Sequence, residues 1–356
     1  MAGGRNHSGW QGTCYPTRHN VPDEAHIAAR KQSFSWPPLE RIRNYCFHSK
    51  MLWLVFLLIF LFDTNGAQEV IFGKNKYTEY QVGNLSLILT VPHGGSLTPS
   101  SIPSRDAGCW EKATKTCYYV HSCPTGTTKD TTNCKVTTVK DLYTQEMASA
   151  VAKEICRLTS GYCPHVVINN LSRSKLDPNR DKDEAAFGVP EAEQAWEEFM
   201  GFIRTAKSHM STGLLIDIHG HSHAEGWVEL GYLISKTNLD SGNFKAADTS
   251  IYALSRRRPS TTFNNLLRGK DSLGKLIEEQ NASYVSVPSP SNPGPNGGNY
   301  FSGGHIVATH GSKISGEVDA IQIELPRWIR ESAERPNFAA VLAKAILNYY
   351  DIQLAK

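Results

Sequence analysis

From residue 68 onward the chain alternates compact apolar runs with longer amphipathic stretches. Leu85–Val91 (LSLILTV), His165–Asn169 (HVVIN), Leu214–His223 (LLIDIHGHSH), Trp227–Ser235 (WVELGYLIS) and Ala320–Leu325 (AIQIEL) are each rich in Leu, Ile or Val and bounded by polar or turn residues. Short runs of this kind predict strands buried on both faces, as in parallel sheets. Val70–Tyr80 predicts a strand and a turn. Asp141–Leu158 and Glu191–Lys207 carry apolar residues at helical spacing, and Pro336–Asp351 predicts a terminal helix with proline in its first turn. Ser260–Gln280 contains a further helix, and Pro288–Gly304, dense in Pro, Ser, Asn and Gly, is a loop. Strands alternating with helices predict one α/β domain over residues 68–356, with a mixed, mostly parallel sheet between helices.

Two stretches stand apart from that rhythm. Residues 1–50 are polar and irregular. Met51–Phe62 (MLWLVFLLIFLF) is then unbroken apolar sequence, with Lys50 before it and Gly66-Ala67 after it. A bilayer span needs about 20 residues, so a run this short reads as the core of a signal peptide over residues 51–67. The residues before it are then an extension outside the mature protein, with Met51 as the working start. The alternatives are an uncleaved signal-anchor with a cytoplasmic tail, and a buried core segment. The second stretch, Ser96–Lys140, is rich in Ser, Thr, Gly and Cys and reads as a long surface insertion held by disulfides.

Cysteine usage points the same way. Of eight Cys, Cys14 and Cys46 precede the apolar run, leaving Cys109, Cys117, Cys123, Cys134, Cys156 and Cys163. An even number in an exported chain predicts a disulfide framework. Cys156 and Cys163 flank a short helix-to-strand connection and form the best local pair. Asn84, Asn170 and Asn281 each open an Asn-x-Ser acceptor for glycosylation. The expected location is secreted and extracellular, or membrane-anchored with an extracellular domain. A net charge of +3, from 37 basic and 34 acidic residues, gives no reason to expect nucleic acid or an anionic membrane surface as partner.

Four of the predicted strands end in polar groups: His93 after Leu85–Val91, the Asp177–Arg180 loop after His165–Asn169, His219 in its own run, and Glu324 in the last. Ligands bind at the carboxyl ends of strands in α/β sheets. Imidazole and carboxylate suit zinc, which needs three protein ligands and a water for catalysis. Zinc acidifies that water and polarises a carbonyl, and a carboxylate that is not a ligand can act as base. An arginine nearby can bind a substrate carboxylate or stabilise an oxyanion. His221 and His223 read as rim residues, although alternating histidines can also chelate a metal by themselves. Asp217 shares a strand face with His219 and can orient its imidazole. Asp177 reads as the residue holding the Asn179–Arg180 loop, and Asp141 as a helix N-cap.

Pro92-His93-Gly94-Gly95, then Arg173-x-x-Leu176-Asp177-x-Asn179-Arg180, then Asp217-x-His219, then Gly303-Gly304, then the Ala320–Glu324 strand together resemble the N-formylglutamate amidohydrolase family. That family is in turn similar to the zinc carboxypeptidases. The resemblance spans about residues 85–335 and implies a zinc-dependent hydrolase of an amide bond next to a carboxylate. The substrate class would be an N-formyl or N-acyl amino acid or a peptide C-terminus. It also implies zinc on His93, Asp141 and His219, Glu324 as general base and Arg173 polarising the scissile carbonyl. Asn179 and Arg180 would hold the substrate's free carboxylate. The family's histidine-tyrosine-glycine is replaced here by Thr309-His310-Gly311, so His310 or Tyr300 is expected to serve in place of the tyrosine. The competing expectation is a secreted, non-catalytic binding protein on the same fold.

Overall fold

The computed structural model describes residues 68–353, all within one compact unit running over Asn65–Lys356. The polar extension, the Met51–Phe62 run, Cys14 and Cys46 lie outside the described residues. In chain order the elements are β1 (Val70–Phe72), β2 (Thr78–Gln81), β3 (Leu87–Val91), β4 (Cys109–Glu111), β5 (Thr116–Tyr118), β6 (Thr128–Lys129), α1 (Thr144–Leu158) and β7 (His165–Asn169). There follow α2 (Lys182–Ala186), α3 (Pro190–Ser208), β8 (Gly213–His221), β9 (Val228–Gly231), α4 (Lys236–Ser241), α5 (Tyr252–Arg257), α6 (Phe263–Arg268) and α7 (Leu273–Gln280). The chain closes with β10 (Ser286–Val287), α8 (His305–His310), β11 (Val318–Pro326), α9 (Arg327–Arg330) and α10 (Arg335–Gln353).

Eight strands form one sheet in the order β1-β2-β7-β3-β8-β11-β9-β10. The centre, β7-β3-β8-β11, is parallel, while β1 and β2 on one flank and β9 on the other run antiparallel to their inner neighbours. This is the α/β fold with a mixed sheet between helices. Trp227–Ser235 is a shorter strand than its composition predicts: β9 stops at Gly231, because Leu233 takes a left-handed φ of 68° that a ladder cannot continue through. Ser260–Gln280 divides into two helices, α6 and α7.

Side-chain parity along the central strands decides where the site lies. On one face Leu87, Leu89, Leu214, Ile216, Ile218, Ile321 and Ile323 pack with Met147, Val151 and Ile155 of α1, Leu342 and Ile346 of α10, and Ile277 of α7. On the other face Ile88, Leu215 and Ala320 meet Phe199, Met200 and Ile203 of α3 and Ile306 and Val307 of α8. Burying such side chains stabilises the fold by roughly 1.5–3 kcal/mol each. The first face is apolar along its length apart from Asp319 at the foot of β11, which is buried against Ser312 and Arg257. The second turns polar toward the carboxyl ends, where the same parity places Thr90, Asp217, His219, Gln322 and Glu324.

The insertion forms a separate three-stranded antiparallel sheet, β5-β4-β6. Disulfides Cys109–Cys123 and Cys117–Cys134 close it, and Cys156–Cys163 closes the turn between α1 and β7. Loops of 14 and 17 residues make the first two worth about 3 kcal/mol each on a chain-entropy view. Arg105 anchors the insertion to the domain by donating to Glu184 O (3.1 Å) and Arg173 O (3.3 Å), and ties it internally through Thr137 O (2.7 Å). Among the described residues no helix is long and apolar enough to cross a membrane. Asn84 and Asn281 are exposed, whereas Asn170 is half-buried with its amide nitrogen on Lys76 O (3.1 Å).

Candidate metal centre

His93 follows β3 directly, and β8 carries His219 opposite Glu324 of β11 in the parallel register. Asp141 arrives from the segment before α1, its backbone N–H bonded to His93 O (3.1 Å). The N-cap reading of Asp141 does not hold. The helix begins at Thr144 with Tyr143 in the cap position, so the Asp141 carboxylate is free to face inward, where Gly220 N donates to its Oδ2 (3.1 Å). A Cβ at Gly220 would lie 2.3 Å from the Arg330 guanidinium, which the carbonyls of Leu325, Leu142 and His221 hold in place.

His93 Nδ1, His219 Nδ1 and Asp141 Oδ2 converge. The two nitrogens are 3.0 Å apart, and each lies 3.3 Å from the carboxylate oxygen. The outer nitrogen of each ring is already used: His93 Nε2 donates to Asp177 Oδ1 (2.6 Å) and His219 Nε2 to Asp217 Oδ2 (2.8 Å). With the proton fixed on Nε2, the Nδ1 lone pairs point at each other and at a carboxylate. That arrangement is repulsive unless a positive charge sits among them. Ligands about 2.1 Å from a tetrahedral zinc stand about 3.4 Å apart, close to the spacing found here. Carboxylates on the outer imidazole nitrogen are the usual support of a metal-binding histidine.

The charges agree. Burial pushes the Asp141 carboxyl up, but the adjoining His93 and His219 imidazoles outweigh it and hold it well below the usual carboxylate range. For Asp177 burial likewise acts upward, and His93, Arg173 and Arg105 overcome it. Burial pushes His219 down, yet Asp217, Asp141 and Glu324 together raise it well above an ordinary histidine. The potential that would hold a proton on His219 serves a metal cation equally well. Glu324 is pushed up to about 8, by burial first, with Asp141 and Glu229 adding to it against His219. Gln322 donates to Glu324 Oε1 (3.0 Å), while buried Oε2 has no hydrogen-bond partner. An orphaned carboxylate oxygen beside three converging ligand atoms fits a site built for a metal and its water.

These groups line a cleft of about 200 Å³ together with Thr137, Arg173, Asn179, Arg180, Phe301, Gly303 and Gly304. Arg173 bonds Asp177 Oδ2 through Nε (2.9 Å) and reaches Asp141 Oδ1 (3.5 Å). Arg180 pairs with Glu184 (3.0 Å) on one edge. Three expectations need correction. Asn179 lines the cleft, but its amide is engaged in the fold: Oδ1 accepts from Ile306 N (2.9 Å) and Nδ2 faces Gln322 Oε1 (3.4 Å). His310 closes α8 with its ring against Met200 Sδ (3.3 Å), where burial pushes it down to about 3, and it does not line the cleft. Tyr300 turns into the main core and donates to Leu230 O (2.6 Å). His310 is held there by α3, whose Met200 meets its ring and whose Lys207 donates to its carbonyl (2.6 Å), and Tyr300 by the main core.

Asp177 holds its loop, with Asn179 N on Oδ1 (3.0 Å), and also supports His93, a role that single-chain spacing does not disclose. Gln322 also lines the cleft, and its place two residues before Glu324 on one strand is the same signal that marks Asp217 before His219. A second cluster, His221, His223 and Glu229, also groups three metal-capable side chains. There, however, His221 Nδ1 accepts from His223 N (3.0 Å) and Nε2 donates to Trp227 O (2.9 Å).

The sequence matches no family model and no curated protein. Solved structures similar to this chain include an N-formylglutamate amidohydrolase from Ralstonia eutropha, at 12% identity and a TM-score of 0.42, covering 80% of this chain and 97% of that one. An N-acetylmuramyl-L-alanine amidase from Mycobacterium abscessus aligns at 10% identity and a TM-score of 0.33, over 74% of this chain and 97% of that one. Bovine thrombin-activatable fibrinolysis inhibitor, in complex with tick carboxypeptidase inhibitor, aligns at 8% identity and a TM-score of 0.36, over 85% and 97%. At such identities and scores these likenesses carry no functional weight, and the functional reading stands on the side-chain geometry.

Proposed function

We propose that this protein is an exported zinc-dependent hydrolase of an amide bond next to a carboxylate. The observation that carries the reading is the convergence of His93 Nδ1, His219 Nδ1 and Asp141 Oδ2 within 3.0–3.3 Å, with each outer imidazole nitrogen held by a buried carboxylate. Zinc bound by those three atoms would supply a Lewis acid for the scissile carbonyl and an acidified water.

The chain's own residues do the rest. Glu324 Oε2, buried and unpartnered, takes the proton of the attacking water and returns it to the departing nitrogen. A cation among the three ligands favours the ionised form of Glu324 and so offsets part of the upward push of burial. Gln322 holds Oε1, the oxygen 3.9 Å from His219 Nδ1, and Oε2 is left free of hydrogen bonds. Arg173, fixed by Asp177, stabilises the developing oxyanion. Arg180, at the cleft and half-exposed, receives the substrate carboxylate. Asn179 holds the loop that carries it.

The three disulfides belong to the chemistry of oxidising compartments, which supports export. We read residues 51–67 as a cleaved signal, a point that amino-terminal sequencing of the secreted protein decides. The activity is tested by incubating the purified protein with N-formyl and N-acyl amino acids and short peptides, with and without a chelator. Chelator-sensitive release of a free amine is expected. Full zinc occupancy without turnover of any of these substrates would contradict the catalytic reading.

A further inference from the structure

The cleft that carries the candidate chemistry is small. About 200 Å³ lies below the usual 300–1,000 Å³ of ligand pockets, so it accommodates the reacting amide and a carboxylate while the rest of the substrate lies at the rim. Phe301 stands at that rim. It lines the cleft and leaves 45% of its surface exposed; Phe72, Tyr162 and Trp328 are exposed to a similar degree, but none of them lines the cleft.

Its placement is firmly built. Phe301 N donates to Glu229 Oε2 (2.7 Å), a fully buried carboxylate on β9. The other oxygen of Glu229 accepts from His223 Nδ1 (2.6 Å) and Trp227 Nε1 (3.3 Å). His223 then returns to Phe301, stacking on its ring at 4.6 Å between centroids and 30° between planes. The flanking backbone is tied as well, with Asn299 N on Glu225 Oε1 (2.8 Å) and Leu233 N on Ser302 O (2.6 Å). A buried carboxylate with three donors holding one exposed ring costs desolvation that a surface loop does not otherwise require. The second histidine cluster thus has a use that needs no metal.

We propose that Phe301 is a specificity-determining residue: a preorganised apolar platform, braced by Glu229 and His223, that selects substrates bearing an aromatic or bulky aliphatic side chain beside the scissile amide. A ring already fixed in place lowers the ordering cost of binding, and aromatic pairs gain beyond the area they bury. The proposal deepens the amide-hydrolase reading and rests on the cleft described for it.

The test compares N-formyl-phenylalanine with N-formyl-alanine in the zinc-loaded full chain, for wild type, Phe301→Ala and Phe301→Tyr. Wild type is expected to prefer the aromatic substrate. Phe301→Ala should reduce that preference by about tenfold, mainly through KM, and Phe301→Tyr should restore most of it. Equal losses on both substrates, or an unchanged preference in Phe301→Ala, overturn the proposal. Because the side chain is half exposed, the substitution leaves the core intact, and a melting curve verifies this. If no amide is turned over, the hydrolase reading fails separately, and the platform is then read by equilibrium binding of 3-phenylpropionate against propionate. Selective loss of phenylpropionate binding in Phe301→Ala sustains the platform, and indifference to the substitution refutes it.

Discussion

Two histidine clusters share one strand end, and they differ in what holds their nitrogens. In the first, His93 and His219 each give their outer N–H to a buried carboxylate, Asp177 or Asp217, and turn Nδ1 toward Asp141. In the second, both nitrogens of His221 are engaged by backbone, and His223 joins Glu229 in holding Phe301. The residue types are nearly the same, and the sequence spacing within His219–His223 is regular. The difference lies in the partners of the outer nitrogens. Carboxylates there leave converging lone pairs, which call for a cation. In the second cluster backbone takes both nitrogens of His221, and Glu229 is already spent on His223, Trp227 and Phe301, so none converge. Counting metal-capable side chains does not distinguish the clusters, whereas tracing each proton does.

The contrast is broken most sharply at the base. Glu324→Gln is expected to lower turnover by about 10²- to 10⁴-fold while zinc content stays at the wild-type level. Steady-state kinetics with metal analysis on the same sample checks this, and a loss of metal in that variant would make Glu324 a ligand instead. Next in size, Asp177→Asn and Asp217→Asn should each weaken zinc affinity about 10- to 100-fold, read by competition with a chromogenic chelator. His223→Ala should leave that affinity unchanged. If it weakens zinc as much as the aspartate variants do, the two clusters are one site.

The smallest effect concerns histidines buried without carboxylates. Burial pushes His165 down to about 4, with His209 adding to it, and His310 down to about 3, with Lys207 adding to it. A histidine whose folded pKa lies below its unfolded value of about 6.5 contributes stability that is complete above that value and is lost as pH falls toward the folded pKa. The metal-free protein should therefore lose at most about 1.4 kcal/mol per pH unit for each such histidine between about pH 6.5 and pH 4. Urea unfolding across that range should show a shallower loss in His310→Gln than in wild type.

Much of this is legible along the chain. The strands rich in Leu, Ile and Val mark themselves by composition, and parity then tells which face Asp217 and His219 share, because side chains alternate strictly in a strand. The same rule applied to Gln322 and Glu324 would have found the glutamine. Partnerships across elements are less visible. Nothing local says that Asp177 supports His93, that Arg105 of the insertion pairs with Asp177 of the strand-end loop, or that β9 runs antiparallel to set Glu229 opposite Glu324. Those depend on strand order and register, which follow from packing over the whole sheet. His310 and Tyr300 are misplaced in the sequence reading for a related reason: an aromatic or imidazole near a site in sequence still goes where its neighbours pack.

The central claim is that the first cluster binds one metal ion and the second binds none. Zinc content by mass spectrometry, on wild type, His219→Ala and His223→Ala purified in parallel, tests it directly. One zinc per chain in wild type and in His223→Ala, with little or none in His219→Ala, is the expected result. Zinc retained by His219→Ala, or lost from His223→Ala, would contradict it.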